Sequence, residues 1–214
     1  MAKYFNYFPK TAYYLEDDKN SLSVVTNLTT KFSFDSEFKN NSSIYYEYTI
    51  PDGQTPEILA HKLYGSAERH WIILAANDIM HPQFDWPLEQ RALNNYIETK
   101  YLPSADTANG QTGTAWSKTN IKEYNITDTK TITTTGEKTI TIIVVDQSTY
   151  ANTVDSVQTT ILNDGNPISV NRVKSVKTYY DYEIQLNENK RNIKLIRPEF
   201  VGLIEEEFKR TLSA

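Results

Sequence analysis

Polar and apolar residues alternate with period two along some stretches of the chain and recur every three or four residues along others; the two patterns mark strands and helices. The first 43 residues belong to the extended kind. "KYFNYFPKTAYYL" is rich in aromatics, and Pro9 breaks any helix there. In "LSVVTNLTTKFSFDSEF", Phe32 and Phe34 alternate with Ser33 and Asp35, as in a strand with one buried face. Such a segment has little core of its own. Residues 1–43 are therefore expected to form an extended N-terminal arm that packs on the rest of the chain or on a neighbouring subunit.

Ser43 to Ile50, "SIYYEYTI", has the pattern of a strand, closed by a turn at Pro51, Asp52 and Gly53. A helix with well-formed ends follows. Thr55 stands at the N-cap, Pro56 at the first helical position and Glu57 in the first turn, where the helix dipole favours an acid. Ile58, Leu59 and Leu63 make one apolar stripe, and Gly65 is placed to end the helix in the left-handed conformation. Ser66 is placed to cap a second helix, apolar on nearly every side from Trp71 to Ala76 and so destined for a core; Asn77 and Asp78 end it. "HPQFDWPL" predicts an ordered loop, and "LEQRALNNYIETKYL" a third helix stopped by Pro103. Residues 44–102 thus read as a β-α-α module with a following helix.

From Pro103 to about Asn120 the chain turns to Ser, Thr, Ala, Asn and Gly, the composition of a linker. "TITTTGEKTITIIVVD" then predicts a hairpin about Gly136 and Glu137, and "SVQTTILNDGNPISVNRV" repeats the pattern with Asn163 to Asn166 as its turn. Residues 103–178 are accordingly a linker and a small Thr-rich antiparallel β insertion. In "YYDYEIQL", Tyr180, Tyr182, Ile184 and Leu186 alternate with Asp181, Glu183 and Gln185, which predicts a half-buried strand returning through "NENKRN" to "IKLI". Pro198 opens a last helix with Val201, Ile204, Phe208 and Leu212 on one stripe, supported by pairs such as Glu205–Lys209. Residues 179–214 are expected to be a β-hairpin and a C-terminal helix, and the fold class is α+β.

Composition narrows the function. The chain has 39% hydrophobic and 23% charged residues over 214 positions, ordinary for a globular protein, but fifteen tyrosines and eight phenylalanines. Tyrosine suits surfaces that end against a partner, and it equally suits strands. A net charge of −5 argues against general nucleic-acid binding. Without cysteine there is no thiolate nucleophile or thiolate metal site. No apolar run approaches the ~20 residues of a membrane span, and the N-terminus lacks a signal-peptide pattern. A product made and used in the cytosol is expected.

Candidate chemistry is sparse. His61, His70 and His81 are the only histidines, but a helix boundary separates the first two, and no HExxH occurs. No GxSxG or Gly-rich phosphate loop is present. No catalytic residue, metal or cofactor is assigned, and the expectation is not an enzyme.

Recognition is better supported. The run "YTIPDGQTPEILAHKLYGSAERHWIILAAND", from Tyr48 onwards, resembles the LysM module: a strand, a GDT-like turn, a helix bearing Leu-Ala, a Tyr-Gly break, and a second helix with Trp and a terminal Asn. In glycan-binding LysM modules a second strand follows promptly; here "DIMHPQFDWPL" follows instead. Tyr64-Gly65, Trp71 to Asp78, Pro82 and Trp86-Pro87-Leu88 further resemble the LysM-like wedge protein family of contractile-tailed phage baseplates of T-even type. That resemblance, over about Ile44 to Tyr101, implies a structural virion protein of the tail baseplate, assembled in the host cytoplasm in multiple copies per particle. It implies that the module ties neighbouring wedge subunits together and to the central hub. The partners implied are other baseplate wedge proteins, sheath-initiator and hub proteins, with no nucleic acid and no membrane. Candidate partner-binding residues are Tyr64, Phe84, Trp86, Phe5, Phe8, Val201, Ile204 and Phe208. The rival expectation is a peptidoglycan- or chitin-type glycan-binding LysM module of a cell-wall-targeting protein.

Overall fold

In the computed structural model, which describes residues 7–14, 22–28, 34, 38, 41–161 and 167–213, the chain is mixed α+β with antiparallel sheets. The elements run β1 (Lys10–Tyr14), β2 (Leu22–Thr26), β3 (Tyr45–Thr49), α1 (Pro56–Tyr64), a 3-10 turn at Ala67–Arg69, α2 (His70–Ala76), the single-turn α3 (Pro82–Asp85) and α4 (Gln90–Tyr101). Then follow α5 (Gly113–Thr119), β4 (Ile121–Ile132), β5 (Lys138–Val145), α6 (Gln147–Asn152), β6 (Ser156–Ile161), β7 (Pro167–Thr178), α7 (Tyr179–Asn189), β8 (Asn192–Ile196) and α8 (Val201–Ser213). Two compact units result. One combines Met1–Gln90 with Glu188–Ala214, and the other is Arg91–Asn187.

In the first unit α1 forms as its end signals dictate. Thr55 is extended (φ −90°, ψ 161°) and its hydroxyl accepts from the Ile58 amide, while Gly65 is left-handed (φ +70°) and its N–H donates to the His61 carbonyl. Ser66 does not cap the second helix. It precedes the 3-10 turn without a side-chain cap bond, and α2 starts only at His70. The turn brings Arg69 back to α1, where its Nη1 donates to the Tyr64 carbonyl at 2.6 Å. "HPQFDWPL" is more regular than a loop, since it contains α3.

β3 finds its partner far along the chain. It pairs antiparallel with β8, from Tyr45 opposite Ile196 to Thr49 opposite Asn192. Asn77, at the end of α2, fastens this pair to the helices. Its side-chain amide donates to the carbonyls of Ile73 and Lys194, and its oxygen accepts from the Lys194 amide. The expected C-terminal hairpin therefore does not exist. Residues 179–189 are the helix α7, and among the described residues β8 pairs with β3 alone. α7 starts on a reciprocal capping box that overrides the period-two pattern: the Asp181 amide donates to the Thr178 hydroxyl oxygen and the Asp181 carboxylate accepts from the Thr178 amide and hydroxyl.

The core of this unit gathers Ile50, Leu59, Ala60, Ile72, Ile73, Leu195 and Ile196 from β3 to α2 and from β8, with Val201, Ile204, Phe208 and Leu212 from α8. Phe208 meets the Trp71 ring at 4.4 Å between centroids, and Phe8 meets Phe208 edge-on at 6.1 Å. Arg69 holds Glu205 of α8 with two hydrogen bonds of 2.7 and 3.1 Å. β1 and β2 pair with each other from Lys10 opposite Thr26 to Tyr14 opposite Leu22.

In the second unit four antiparallel strands lie in the order β5-β4-β7-β6. The hairpin about Gly136 (φ +71°) is as expected; the Asn163 to Asn166 turn lies outside the described residues. The stretch after Pro103 is not a plain linker, since it contains α5. Thr112 caps that helix, and the Gly113 and Thr114 amides donate to the Glu98 carboxylate. Gly113 is obligatory here, because a Cβ would overlap the Glu98 carbonyl oxygen and come within 2.6 Å of the Leu102 nitrogen. Glu183 of α7, only 4% exposed, accepts from Lys100 and from the Tyr101 hydroxyl. Trp116 stacks on Tyr101.

Candidate partner-binding surface

The loop after β3, the loop carrying α3 and the lead into β8 converge at one end of the first unit. Three side chains bind them together. The Trp86 indole N–H donates to the Gln54 carbonyl at 2.8 Å, and the Gln54 side chain accepts from the Tyr48 hydroxyl. Arg191 spans Asp52, at 2.9 Å, and the Ile50 carbonyl. Lys190 donates to the Phe84 carbonyl at 2.6 Å. The hydrogen bond from Arg191, with the Gln90 amide, holds the Asp52 carboxyl below its ordinary value, so it stays ionised near neutrality.

Within that frame α3 is a single turn started by Pro82. The His81 amide donates to the Asp85 carboxylate, and the Phe84 and Asp85 amides donate to the His81 carbonyl. A backbone tied at so many points presents Phe84 rigidly, 74% exposed, with Met80 exposed in the same loop. Beside it an open cavity of about 370 Å³ is lined by Asn77, Asp78, Ile79, Asp85, Lys190, Asn192 and Ile193. Asp78 adopts φ +54°, the left-handed turn that redirects the chain out of α2.

The other sequence candidates fall elsewhere. Tyr64 and Trp86 are buried, and the Tyr64 hydroxyl donates to the Ile196 carbonyl, with burial pushing the phenol up. Phe8, Val201, Ile204 and Phe208 are buried in the core of their own unit, so the α8 stripe is spent inside the chain and not on its surface. Phe5 lies outside the described residues. Of the seven candidates among the described residues, Phe84 alone faces solvent. The histidines stay apart in role: His70 Nδ1 lies 3.0 Å from the Ala67 carbonyl, and His61 and His81 are exposed.

The sequence pattern marks Asp52 only as a turn residue and gives Met80, Gln54, Lys190 and Arg191 no signal of a shared site. "NENKRN" signalled only a turn, and nothing local to it points across the chain to Asp52. A family model described as Base plate wedge protein 53 matches residues 3–209. No curated protein matches the chain.

Proposed function

The chain belongs to the base plate wedge protein 53 family, and from that premise we propose that it joins neighbouring wedges through a LysM-like protein-binding module whose contact centre is Phe84. Membership makes it a structural protein of a phage tail baseplate, located in the virion tail and assembled with other baseplate proteins. The finer assignment is ours. The LysM-like reading is supported by the β3-α1-α2-β8 arrangement, in which β8 supplies the second strand that the sequence lacks after α2.

Phe84 carries the protein-binding reading. A large apolar side chain on a backbone already fixed by Lys190, Asp85 and the Trp86 anchor loses little conformational freedom on docking. Its partner is an apolar pocket on an adjacent wedge protein, with hub and sheath-initiator proteins as further contacts in a contractile tail.

Native mass spectrometry of the full-length protein with the wedge proteins of the same virus tests this. Discrete complexes form with the wild type and are lost with Phe84→Asp, whose melting temperature stays that of the wild type. Complexes that survive Phe84→Asp overturn the assignment. A protein that ignores the wedge proteins but shifts on adding chito-oligosaccharide supports the glycan-binding alternative instead.

A further inference from the structure

Among the described residues β5 ends its sheet, with β4 on one side and no strand on the other. Soluble proteins blunt such an edge with a charge, a proline, a bulge or a short strand. β5, "KTITIIVV", has none of these beyond Lys138 at its start, and it keeps unbroken register with β4 from Lys138 opposite Thr131 to Val145 opposite Tyr124. The helix that follows does not cover the edge. In α6 the Tyr150 ring lies 5.0 Å from that of Tyr124 in β4, and its carbonyl accepts from Lys174 in β7, so α6 folds back over the inner strands. Ile140, Ile142 and Val144 share the sheet face opposite Thr129, Thr127 and Asn125, and stay 64, 64 and 62% exposed.

We propose that β5 is a homotypic edge: two copies of this chain pair antiparallel through β5, with Ile142 opposite itself on a twofold axis, to make one continuous eight-stranded sheet. An axis normal to the sheet keeps each face continuous, because opposed residues then point the same way. With Ile142 on the axis, Ile140 meets Val144 of the second copy, Thr141 meets Ile143 and Thr139 meets Val145. At both ends Lys138 comes opposite Asp146, the residue just past β5 whose carboxylate caps α6 by accepting from the Ser148 and Thr149 amides. The capped carboxylate keeps its charge, and this opposition of charges favours this partner and this register. Moving the axis to Ile140, Thr141, Ile143 or Val144 sets Lys138 or Asp146 against an aliphatic residue and pairs no charges.

Sedimentation velocity of the full chain, run up to about 100 μM, is the test. The wild type shows a concentration-dependent monomer–dimer equilibrium. Ile142→Lys puts two ammonium groups face to face on the axis and Ile142→Glu two carboxylates; each weakens dimerisation by about tenfold or more, about 1.4 kcal/mol, while circular dichroism stays native because the position is exposed. An equimolar mixture of the two variants restores the dimer, since Lys now faces Glu. Phe84→Asp dimerises like the wild type, so a failure here is separate from a failure of the wedge contact. A wild type monomeric throughout, variants that dimerise undiminished, or a mixture that stays monomeric each overturns the proposal. So does a β5 edge that binds only an extended segment of another baseplate protein.

Discussion

Trp86 and Phe84 lie two residues apart in one loop, yet one is 6% exposed and the other 74%. The difference follows from the indole N–H, which reaches the Gln54 carbonyl and takes the ring with it. Trp86→Ala should cost about 3–5 kcal/mol in urea unfolding, whereas Phe84→Ala should stay within about 0.5 kcal/mol of the wild type and act only on assembly. Both aromatics were legible as important in the sequence, but which one faces outward was not, because no local pattern encodes a hydrogen bond across 32 positions. Gly113 makes the complementary case. Its neighbours in space are backbone atoms of Glu98 and Leu102, which cannot swing aside. Gly113→Ala should therefore destabilise by about 2–3 kcal/mol, read by the same unfolding curve.

At the scale of elements, α7 shows how two signals compete. The alternation of Tyr180, Tyr182, Ile184 and Leu186 fits a strand, but a helix satisfies more groups. Thr178 and Asp181 close its first turn, and Tyr179, Glu183 and Asn187 fall four apart on one face, where Glu183 accepts from Lys100 and Tyr101. Leu186 is left 41% exposed as the cost of that choice. Thr178→Ala should lower stability by about 1 kcal/mol; chemical-denaturation midpoints check this, and no change would show that tertiary contacts alone hold the helix start. The four-residue spacing of α8 was plain in the sequence, but its destination was not. The same stripe serves a neighbour or the chain's own core equally well, and Trp71 and Phe8 at Phe208 decided for the core.

For the whole molecule, several exposed or half-buried carboxylates are tuned the same way. Asp52 is held low by the hydrogen bond from Arg191, Asp128 by that from Arg172, and Glu98 by the Thr114 amide and hydroxyl and the Gly113 amide. A carboxyl depressed on folding contributes stability above its unfolded value and loses it as pH falls through the lower folded value. The melting temperature should accordingly stay level from neutral pH down to about 5 and fall below about 4, with Glu98→Gln flattening part of the fall. Thermal circular dichroism at steps of pH checks it; a protein whose melting temperature rises on acidification contradicts the assignment. What the sequence determined by itself were features set by neighbours along the chain: the Thr55 to Gly65 helix, the hairpin at Gly136, the mixed α+β class and the kinship carried by the Tyr64-to-Leu88 run. The tertiary structure alone decided the β3–β8 pairing, with Thr49 and Asn192 143 positions apart, the burial of α8 and the exposure of Phe84. Propensity and capping act over a few residues and are written locally. Strand partnership and burial depend on which surfaces exclude water together once the chain has returned on itself, and periodicity says only that a face is apolar, never what covers it.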